Sequence, residues 1–382
     1  MLRIITLMLV LAGCLAALAQ PAPNDTPTFT VAGRTALTNK QYAEAVKQFK
    51  LAVASQEKLK GTEDASLIPL LHYLADAQIG VKSYPDAELT LQRALAIAAK
   101  PRGPEDYGLV PTLNKLHALY AVIPDYAKAE EMSKRAITIT EKAKGPESPE
   151  VVTQLYGLSD FYVRQKHFAD SETTLKRALA IGEKLKGPDD YSLVTTLNRY
   201  VSLYATQKLF RQAEPLQQRV CAITEKAKGP QDLALITPLN TFISLYVNQQ
   251  KYTEAEMTYG RMLAIAEKAK GAGDPYYASL LAQRAEFYIS QRRYDRGETD
   301  LLSAVAIVEK AKGPEDASLA PMLNRLVVIS NTLKTYEKSL PISLRIVIIL
   351  EKANGAENPS LIAYLQQNSD LYTYMGMKAE AL

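Results

Sequence analysis

The sequence contains no tryptophan, only two cysteines and only three histidines among its 382 residues. Cys14 lies in an apolar leading segment and Cys221 near the middle of the chain, so a chain that has lost its leader cannot form an intramolecular disulfide. We interpret Cys221 as a core residue, because the equivalent positions of neighbouring sequence units hold leucine, isoleucine or valine.

Catalytic and cofactor-binding signatures are also missing from the sequence. There is no Gly-x-Ser-x-Gly elbow, no phosphate-binding Gly-x-x-x-x-Gly-Lys loop, no His-Glu-x-x-His and no cysteine pair with zinc spacing. His72, His117 and His167 occupy three different positions of the sequence repeat, so the repeat does not pair them around a metal or a proton. The formal charge of +4 is spread along the chain and does not form the clustered basic patch that is typical of nucleic-acid binding. We therefore predict no enzyme, no cofactor and no metal.

Glycine, in contrast, recurs at an unbroken interval of 42 residues. A fixed period of this length predicts a stack of similar units that bury their apolar faces against one another. The glycines are Gly61, Gly103, Gly145, Gly187, Gly229, Gly271, Gly313 and Gly355.

Each glycine lies between the end of one predicted helix and the start of the next. Lysines precede it, as is favourable at a helix C-terminus, and a capping residue follows three positions later. Pro149, Pro275 and Pro359 then follow at the predicted first helical position. The capping residues are Asp64, Asp106, Ser148, Asp190, Asp232, Asp274, Asp316 and Asn358.

Each unit therefore contains two amphipathic helices, and four positions recur with a characteristic residue type. The first helix has an invariant leucine: Leu71, Leu113, Leu155, Leu197, Leu239, Leu281, Leu323 and Leu365. Further along it a tyrosine recurs, at Tyr120, Tyr162, Tyr204, Tyr246, Tyr288 and Tyr372. The second helix begins with an aromatic residue in every unit: Tyr42, Tyr84, Tyr126, Phe168, Phe210, Tyr252, Tyr294 and Tyr336. A small residue follows three positions later: Ala45, Ala87, Ala129, Ser171, Ala213, Ala255, Gly297 and Ser339.

Leucine, tyrosine, ring and small residue at these offsets resemble the tetratricopeptide repeat, and the 42-residue period with its Leu-Asn-x-Leu stretch resembles the kinesin light chain subtype. The resemblance implies an all-α, right-handed superhelical solenoid of about eight helix pairs and a terminal helix. It covers residues 29–382, with repeats at about 29–60, 64–105, 106–147, 148–189, 190–231, 232–273, 274–315, 316–357 and a partial one at 358–382. The first helix of the partial repeat is more polar than its equivalents, because it contains the stretch Gln366 to Asp370. This is expected for a solvated capping helix.

The first 19 residues predict export. A positive start, an apolar stretch from Ile4 to about Leu15 and Ala17-Leu18-Ala19 form a signal peptide, followed by a linker over residues 20–28. An alternative is that Leu11-Ala12-Gly13-Cys14, which resembles a lipobox, makes Cys14 the lipidated N-terminus. We expect a periplasmic or secreted protein, or else a membrane-anchored lipoprotein, without a membrane span.

The concave surface lined by the first helices is the predicted binding surface. The residue after the invariant leucine faces this groove, which gives Asn114, Tyr156, Asn198, Asn240, Asn324 and Gln366 as candidates. Asparagine both donates and accepts hydrogen bonds, so this row suits the main chain of an extended peptide. The resemblance to kinesin light chains implies this role for Asn114, Asn198, Asn240 and Asn324. The alternative is that these asparagines bond the neighbouring hairpin and hold the stack in register.

Two basic features carry weaker hypotheses. Lys115 and Arg164 are candidates for a clamp that binds a peptide's C-terminal carboxylate. The lysines that end the second helices either form a basic edge that binds anionic polymers or simply complement the helix dipoles. They include Lys142 and Lys144, Lys184 and Lys186, Lys226 and Lys228, Lys268 and Lys270, and Lys310 and Lys312.

The sequence thus favours a non-catalytic protein-binding or peptide-binding scaffold. Two alternatives stay open: a structural protein that associates with itself, and the front portion of a larger enzyme.

Overall fold

A computed structural model describes residues 25–101 and 103–377 of the chain. Over these ranges it contains α-helices and two short 3₁₀ turns and no β-strand. The predicted signal peptide, the lipobox at Cys14 and residues 378–382 lie outside the described residues. The chain divides into two compact units, one ending at Pro188 and the other beginning at Asp189.

The first unit consists of four helical hairpins, each with a first and a second helix. The helices are α1 (Thr26–Thr38), α2 (Tyr42–Lys60), α3 (Leu67–Gly80), α4 (Tyr84–Ala99), α5 (Val110–Val122), α6 (Tyr126–Lys144), α7 (Pro149–Arg164) and α8 (Phe168–Lys186). Helix α1 begins inside the stretch predicted as linker, because Pro27 is well placed in a first helical turn.

The second unit has four more hairpins and one further first helix among its described residues. Its helices are α9 (Leu193–Thr206), α10 (Phe210–Lys228), α11 (Ile236–Asn248), α12 (Tyr252–Lys270), α13 (Pro275–Ser290), α14 (Tyr294–Lys312), α15 (Leu319–Thr332), α16 (Tyr336–Asn354) and α17 (Leu361–Tyr374). Within each unit, every second helix packs against the first helix of the next hairpin. The predicted helix pairs and terminal helix are confirmed.

The recurring glycines do what the sequence predicts at the junctions between hairpins. All eight have φ between 85° and 101°, a region open mainly to glycine. Seven of them directly follow a second helix, whereas α4 ends before Gly103 because Pro101 interrupts its last turn.

The predicted capping residues all bond the main chain, but only Ser148 and Asp274 are the N-caps of α-helices. Asp106 and Asp232 cap the short 3₁₀ turns, and the other four lie two residues before an N-cap serine, at Asp64, Asp190, Asp316 and Asn358. In all eight junctions the side chain accepts a hydrogen bond from a main-chain N–H two or three residues later. Pro149 and Pro275 open their helices as expected. Pro359 does not, because Asn358 and Pro359 form a turn and α17 begins at Leu361.

Small residues allow the two helices of a hairpin to approach closely. The recurring ring is the first residue of each second helix, and the small residue that follows it is buried in all eight hairpins. At Gly297 an added Cβ would lie 3.0 Å from Ile289 and 3.3 Å from the Ala285 carbonyl, both on the partner helix α13. The small residue therefore allows the first helix to pack closely against the second.

The invariant leucine forms the core, with one exception. Seven of the eight leucines are at most 5% exposed, but Leu365 is 51% exposed. In the same helix Asn368, which was predicted to be solvated, is buried and both of its side-chain polar atoms lack a hydrogen-bond partner among the described residues. Helix α17 thus exposes Leu365 to solvent and buries Asn368, which belongs to its polar stretch. None of the helices in the described ranges is long and apolar enough to cross a membrane.

Candidate binding surface

The candidate surface is formed by the residue that follows the invariant leucine in each first helix, which we call the amide row. A turn of helix separates this residue from the one four positions later, so both lie on the same face. In the first unit the row contains His72, Asn114 and Tyr156, and in the second it contains Asn198, Asn240, Ala282, Asn324 and Gln366. All are exposed or half-exposed, whereas the leucine before each one, Leu365 excepted, is buried.

The asparagine side chains in the row are not used by the fold. Within the described part of the chain, no hydrogen bond forms to the side-chain amide of Asn114, Asn198, Asn240 or Asn324. This argues against the alternative in which these amides hold successive hairpins in register. They are available to a ligand as paired donors and acceptors.

The first unit uses charged and aromatic groups on this face to join its hairpins. His72 Nε2 lies 2.8 Å from Thr112 Oγ1, and Lys115 Nζ donates to both Asp76 carboxylate oxygens at 2.6 and 2.8 Å. Desolvation of the ring, aided by the nearby Lys115 charge, lowers the pKa of His72 to about 4. Lys115 is therefore engaged by Asp76, and the predicted carboxylate clamp is wrong for this residue. Arg164 lies exposed in the last turn of α7.

The second unit presents a more neutral face. Around Asn240 the exposed side chains are Thr237, Ser244 and Asn248, and the last two donate to main-chain carbonyls one turn earlier in the same helix. The ion pair between Arg325 and Glu286 joins α15 to α13, with Nε and Oε1 2.6 Å apart. A ligand along this face therefore meets amides, hydroxyls and a charge pair that is already neutralised.

A tyrosine-to-glutamate bond between successive hairpins was not anticipated from the sequence. The hydroxyl of Tyr162 donates to Glu130, 32 residues earlier, at 2.8 Å. The bonds from Tyr120 to Glu88 and from Tyr288 to Glu256 repeat the arrangement. Burial, reinforced by the carboxylate, raises the pKa of all three tyrosines. The available signal was a glutamate 32 residues before each of these tyrosines.

Some of the lysines that end the second helices are paired with carboxylates. Lys142 donates to Glu105 and Lys184 to Glu147, each 37 residues earlier. The second lysine of a pair can cover a ring, as Lys144 does over Tyr107 at 4.9 Å. This pairing favours the interpretation of these lysines as structural rather than as a basic edge.

The cysteine and histidines do not form a reactive centre. Burial raises the pKa of the Cys221 thiol to about 12, which confirms the core interpretation, since a reactive cysteine needs a stabilised thiolate. His117 Nδ1 lies 2.8 Å from the Ala129 carbonyl, and His167 precedes α8 on the surface. No cluster of metal-ligating side chains occurs in the part of the chain that the structure describes.

Comparison with known proteins identifies the repeat. The tetratricopeptide repeat family model matches residues 109–184 and again residues 152–226. No curated protein matches the sequence.

Several solved structures resemble this one. BtubC (BKLC) from P. vanneervenii has 20% identity, covers 60% of this chain and 90% of its own, and gives a TM-score of 0.44. The nearly identical TPR-like repeats of a Podosopora anserina protein assigned as a kinesin light chain have 22% identity, with 54% and 98% coverage and a TM-score of 0.46. The TPR2AB domain of yeast Sti1, in a complex with pHSP90, has 15% identity, with 77% and 94% coverage and a TM-score of 0.29. Similarities of this size say nothing about a shared ligand.

The family match over residues 109–226 falls on the same hairpin that recurs every 42 residues on both sides of it. Residues 109–226 therefore consist of tetratricopeptide repeats, and the hairpins on both sides of them repeat the same pattern.

Proposed function

We propose that this protein is a non-catalytic scaffold that binds extended segments of a protein or peptide partner along the amide rows of its two units. The observation that carries the proposal is the set of four exposed or half-exposed asparagines whose side-chain amides have no hydrogen-bond partner within the described residues. Residues that the fold needs are buried or bonded, and these residues are neither.

The chemistry of the row suits a main chain rather than a particular side chain. Each asparagine offers a carbonyl acceptor and an NH₂ donor, which match the N–H and C=O of one extended residue. Each such hydrogen bond contributes about 0.5–1.5 kcal/mol net, so several along one groove are needed for useful affinity. Recognition of this kind depends weakly on the partner's sequence.

The test is a comparison of two double variants of the full chain. Asn198→Ala with Asn240→Ala removes two amides of the row in the second unit. Gln212→Ala with Gln218→Ala removes two exposed amides from the second helix α10 and serves as the matched control. We expect the first double variant to capture less partner in a pull-down, while the control captures as much as the unmodified chain. Equal capture by all three proteins would reject the amide row as the binding surface.

We also propose that the protein acts outside the cytoplasm, in the cell envelope or beyond it. The support is the leading segment up to Ala19, which is charged, then apolar, then small-x-small. Mass spectrometry of the mature N-terminus is the test. Cleavage after Ala19 supports export as a soluble chain, a diacylglyceryl-modified Cys14 supports a lipid anchor, and an N-terminus at Met1 contradicts both.

Self-association is a second candidate, and one observation favours it. Leu365 is 51% exposed, although its seven equivalents are at most 5% exposed, and Ile362 nearby is 65% exposed. A second copy that covers this face would remove both side chains from water. Sedimentation equilibrium from micromolar to millimolar concentration is the measurement, with Leu365→Glu as the variant. A monomer at every concentration would reject self-association.

A further inference from the structure

The amide row of the second unit is interrupted by a pocket. It lies between the first helices α13 and α15, has a volume of about 420 Å³, and is lined by residues that include Ala282, Leu301, Pro321, Met322, Glu286 and Arg325. Ala282 occupies the row position that is asparagine in the hairpins before and after it, at Asn240 and Asn324.

The pocket lies where a methyl group replaces an amide in the row. Its floor belongs to the hydrophobic core, since Leu301 is 1% exposed and both Ala282 and Met322 pack against the core cluster of the unit. An asparagine at position 282 would place polar atoms at the mouth, as Asn240 does one hairpin earlier.

The electrostatics of the pocket disfavour a charged occupant. Glu286 and Arg325 are the charged residues that line it among those described, and they bind each other at 2.6 Å. Because the two charges already pair at the rim, a charged ligand group would find no unpaired partner there and would lose hydration above the apolar floor, which is unfavourable.

The size of the pocket fits a large apolar side chain. A closed cavity of about 150 Å³ holds a benzene ring, so an open pocket of 420 Å³ holds a leucine, methionine or phenylalanine side chain and part of its backbone. Packed helices lie about 8–10 Å apart and an extended chain advances about 3.3 Å per residue. A peptide bound by the flanking amides would therefore advance about three residues from hairpin to hairpin.

We infer that the pocket at Ala282 selects one uncharged apolar side chain from a peptide that lies extended along the second unit. The inference rests on the proposed function and adds to it a preference at one position. Amides on both sides hold the main chain, and the pocket sets the register by accepting the side chain.

A random dodecapeptide library displayed on phage, selected on the full chain, tests the inference. Three proteins are compared: the unmodified chain, Ala282→Asn, and Gln212→Asn. The first variant installs the residue that four other hairpins carry at this position, so it is compatible with the fold. The second installs the same residue at an exposed position of the second helix α10, outside the amide row and away from the pocket.

We expect peptides selected on the unmodified chain and on Gln212→Asn to share one large apolar position. Replacing that residue by alanine in a synthetic peptide should weaken binding by about tenfold or more, measured by fluorescence anisotropy. The Ala282→Asn variant should retain peptide binding but lose that preference, and the methyl NMR signal of Met322 should shift only when the apolar peptide binds the unmodified chain.

Two outcomes overturn the inference and are distinguishable. Enriched peptides that share no apolar position, or that show the same preference on Ala282→Asn, reject the pocket and leave the peptide-binding function standing. Failure to enrich any peptide on the unmodified chain rejects both.

Discussion

The ion pair between Arg284 on α13 and Asp300 on α14 is unusual within this repeat. Its guanidinium donates to both carboxylate oxygens, at 2.7 and 2.8 Å, and Asp300 is only 6% exposed. In equivalent hairpins the two positions hold uncharged pairs, such as Leu74 with Thr90 and Leu158 with Thr174. The chain therefore contains its own uncharged version of this contact.

Replacing one partner should be costly. Asp300→Thr removes the carboxylate and leaves Arg284 charged, with 24% of its side chain exposed. Loss of one member of a buried pair typically costs about 3–5 kcal/mol, and we expect about 3 kcal/mol here because the guanidinium retains some contact with water. Arg284→Leu with Asp300→Thr recreates the combination found at Leu158 and Thr174, and should be neutral or stabilising relative to the unmodified chain.

Urea denaturation followed by circular dichroism measures the global effect, and hydrogen exchange of the α13 and α14 amides measures the local one. Both are needed because a repeat array can unfold in stages. The single variant should lose protection in these helices and the double variant should regain it. A double variant as unstable as Asp300→Thr would show that the pair itself, not the unpaired charge, supplies the stability, and would refute the reasoning.

Three further predictions follow from the fold. Gly187→Ala should cost about 1–3 kcal/mol in urea denaturation, since φ is 89° there but nothing lies within 4 Å of an added Cβ, so the cost is conformational alone; an unchanged midpoint would contradict this. Tyr162→Phe should cost about 1 kcal/mol, because Glu130 loses its bond to the hydroxyl but keeps Lys134 at 2.6 Å; a loss above about 3 kcal/mol would mean that the hydroxyl supports more than this one contact. His72 has a folded pKa of about 4 against 6.5 in an unfolded chain, so the unfolded state gains the proton first and stability is lost as the pH falls from 6.5 to 4. Since the ring is partly exposed, we expect this loss to be about 1–2 kcal/mol larger in the unmodified chain than in His72→Asn, and equal pH profiles would refute it.

The sequence was sufficient for the helices because each boundary depends on a local residue type. Glycine with positive φ, a capping oxygen three residues later and a ring with a small residue are all read directly from the 42-residue period. Each acts within a few residues of itself, so no knowledge of the tertiary structure is needed to interpret it.

The turn inside each hairpin could not be predicted in the same way. Seven long polar residues there adopt the left-handed conformation, with φ between 57° and 61°, at Lys40, Lys82, Lys166, Lys208, Gln250, Arg292 and Lys334. Lysine is no signal for this conformation, which glycine and asparagine usually adopt. The left-handed residue closes the C-terminus of the first helix through main-chain hydrogen bonds, such as Lys40 N–H to the Leu37 carbonyl and Gln41 N–H to the Ala36 carbonyl. Because these bonds involve no side chain, the residue type gives no signal for them.

The candidate surface was predictable in position but not in character. Helical periodicity was enough to place Asn198 and Asn240 on the exposed face. The sequence did not show that Lys115 is held by Asp76, nor that Ala282 opens a pocket, because each depends on a residue from another hairpin. Separations of 39 and 40 residues become contacts only once the hairpins are stacked.

The contacts that join successive hairpins leave the asparagines of the amide row unused, so the ligand preference of the row can change without loss of those contacts. Tyrosine reaches glutamate 32 residues earlier and lysine reaches a carboxylate 37 residues earlier, so the stack is held by core packing and by bonds from residues other than these asparagines. Substitutions at Asn198, Asn240 or Asn324 should therefore alter binding with little loss of stability. Ala282 illustrates this freedom: an alanine replaces the amide there, the hairpin still packs normally, and the surface gains a pocket.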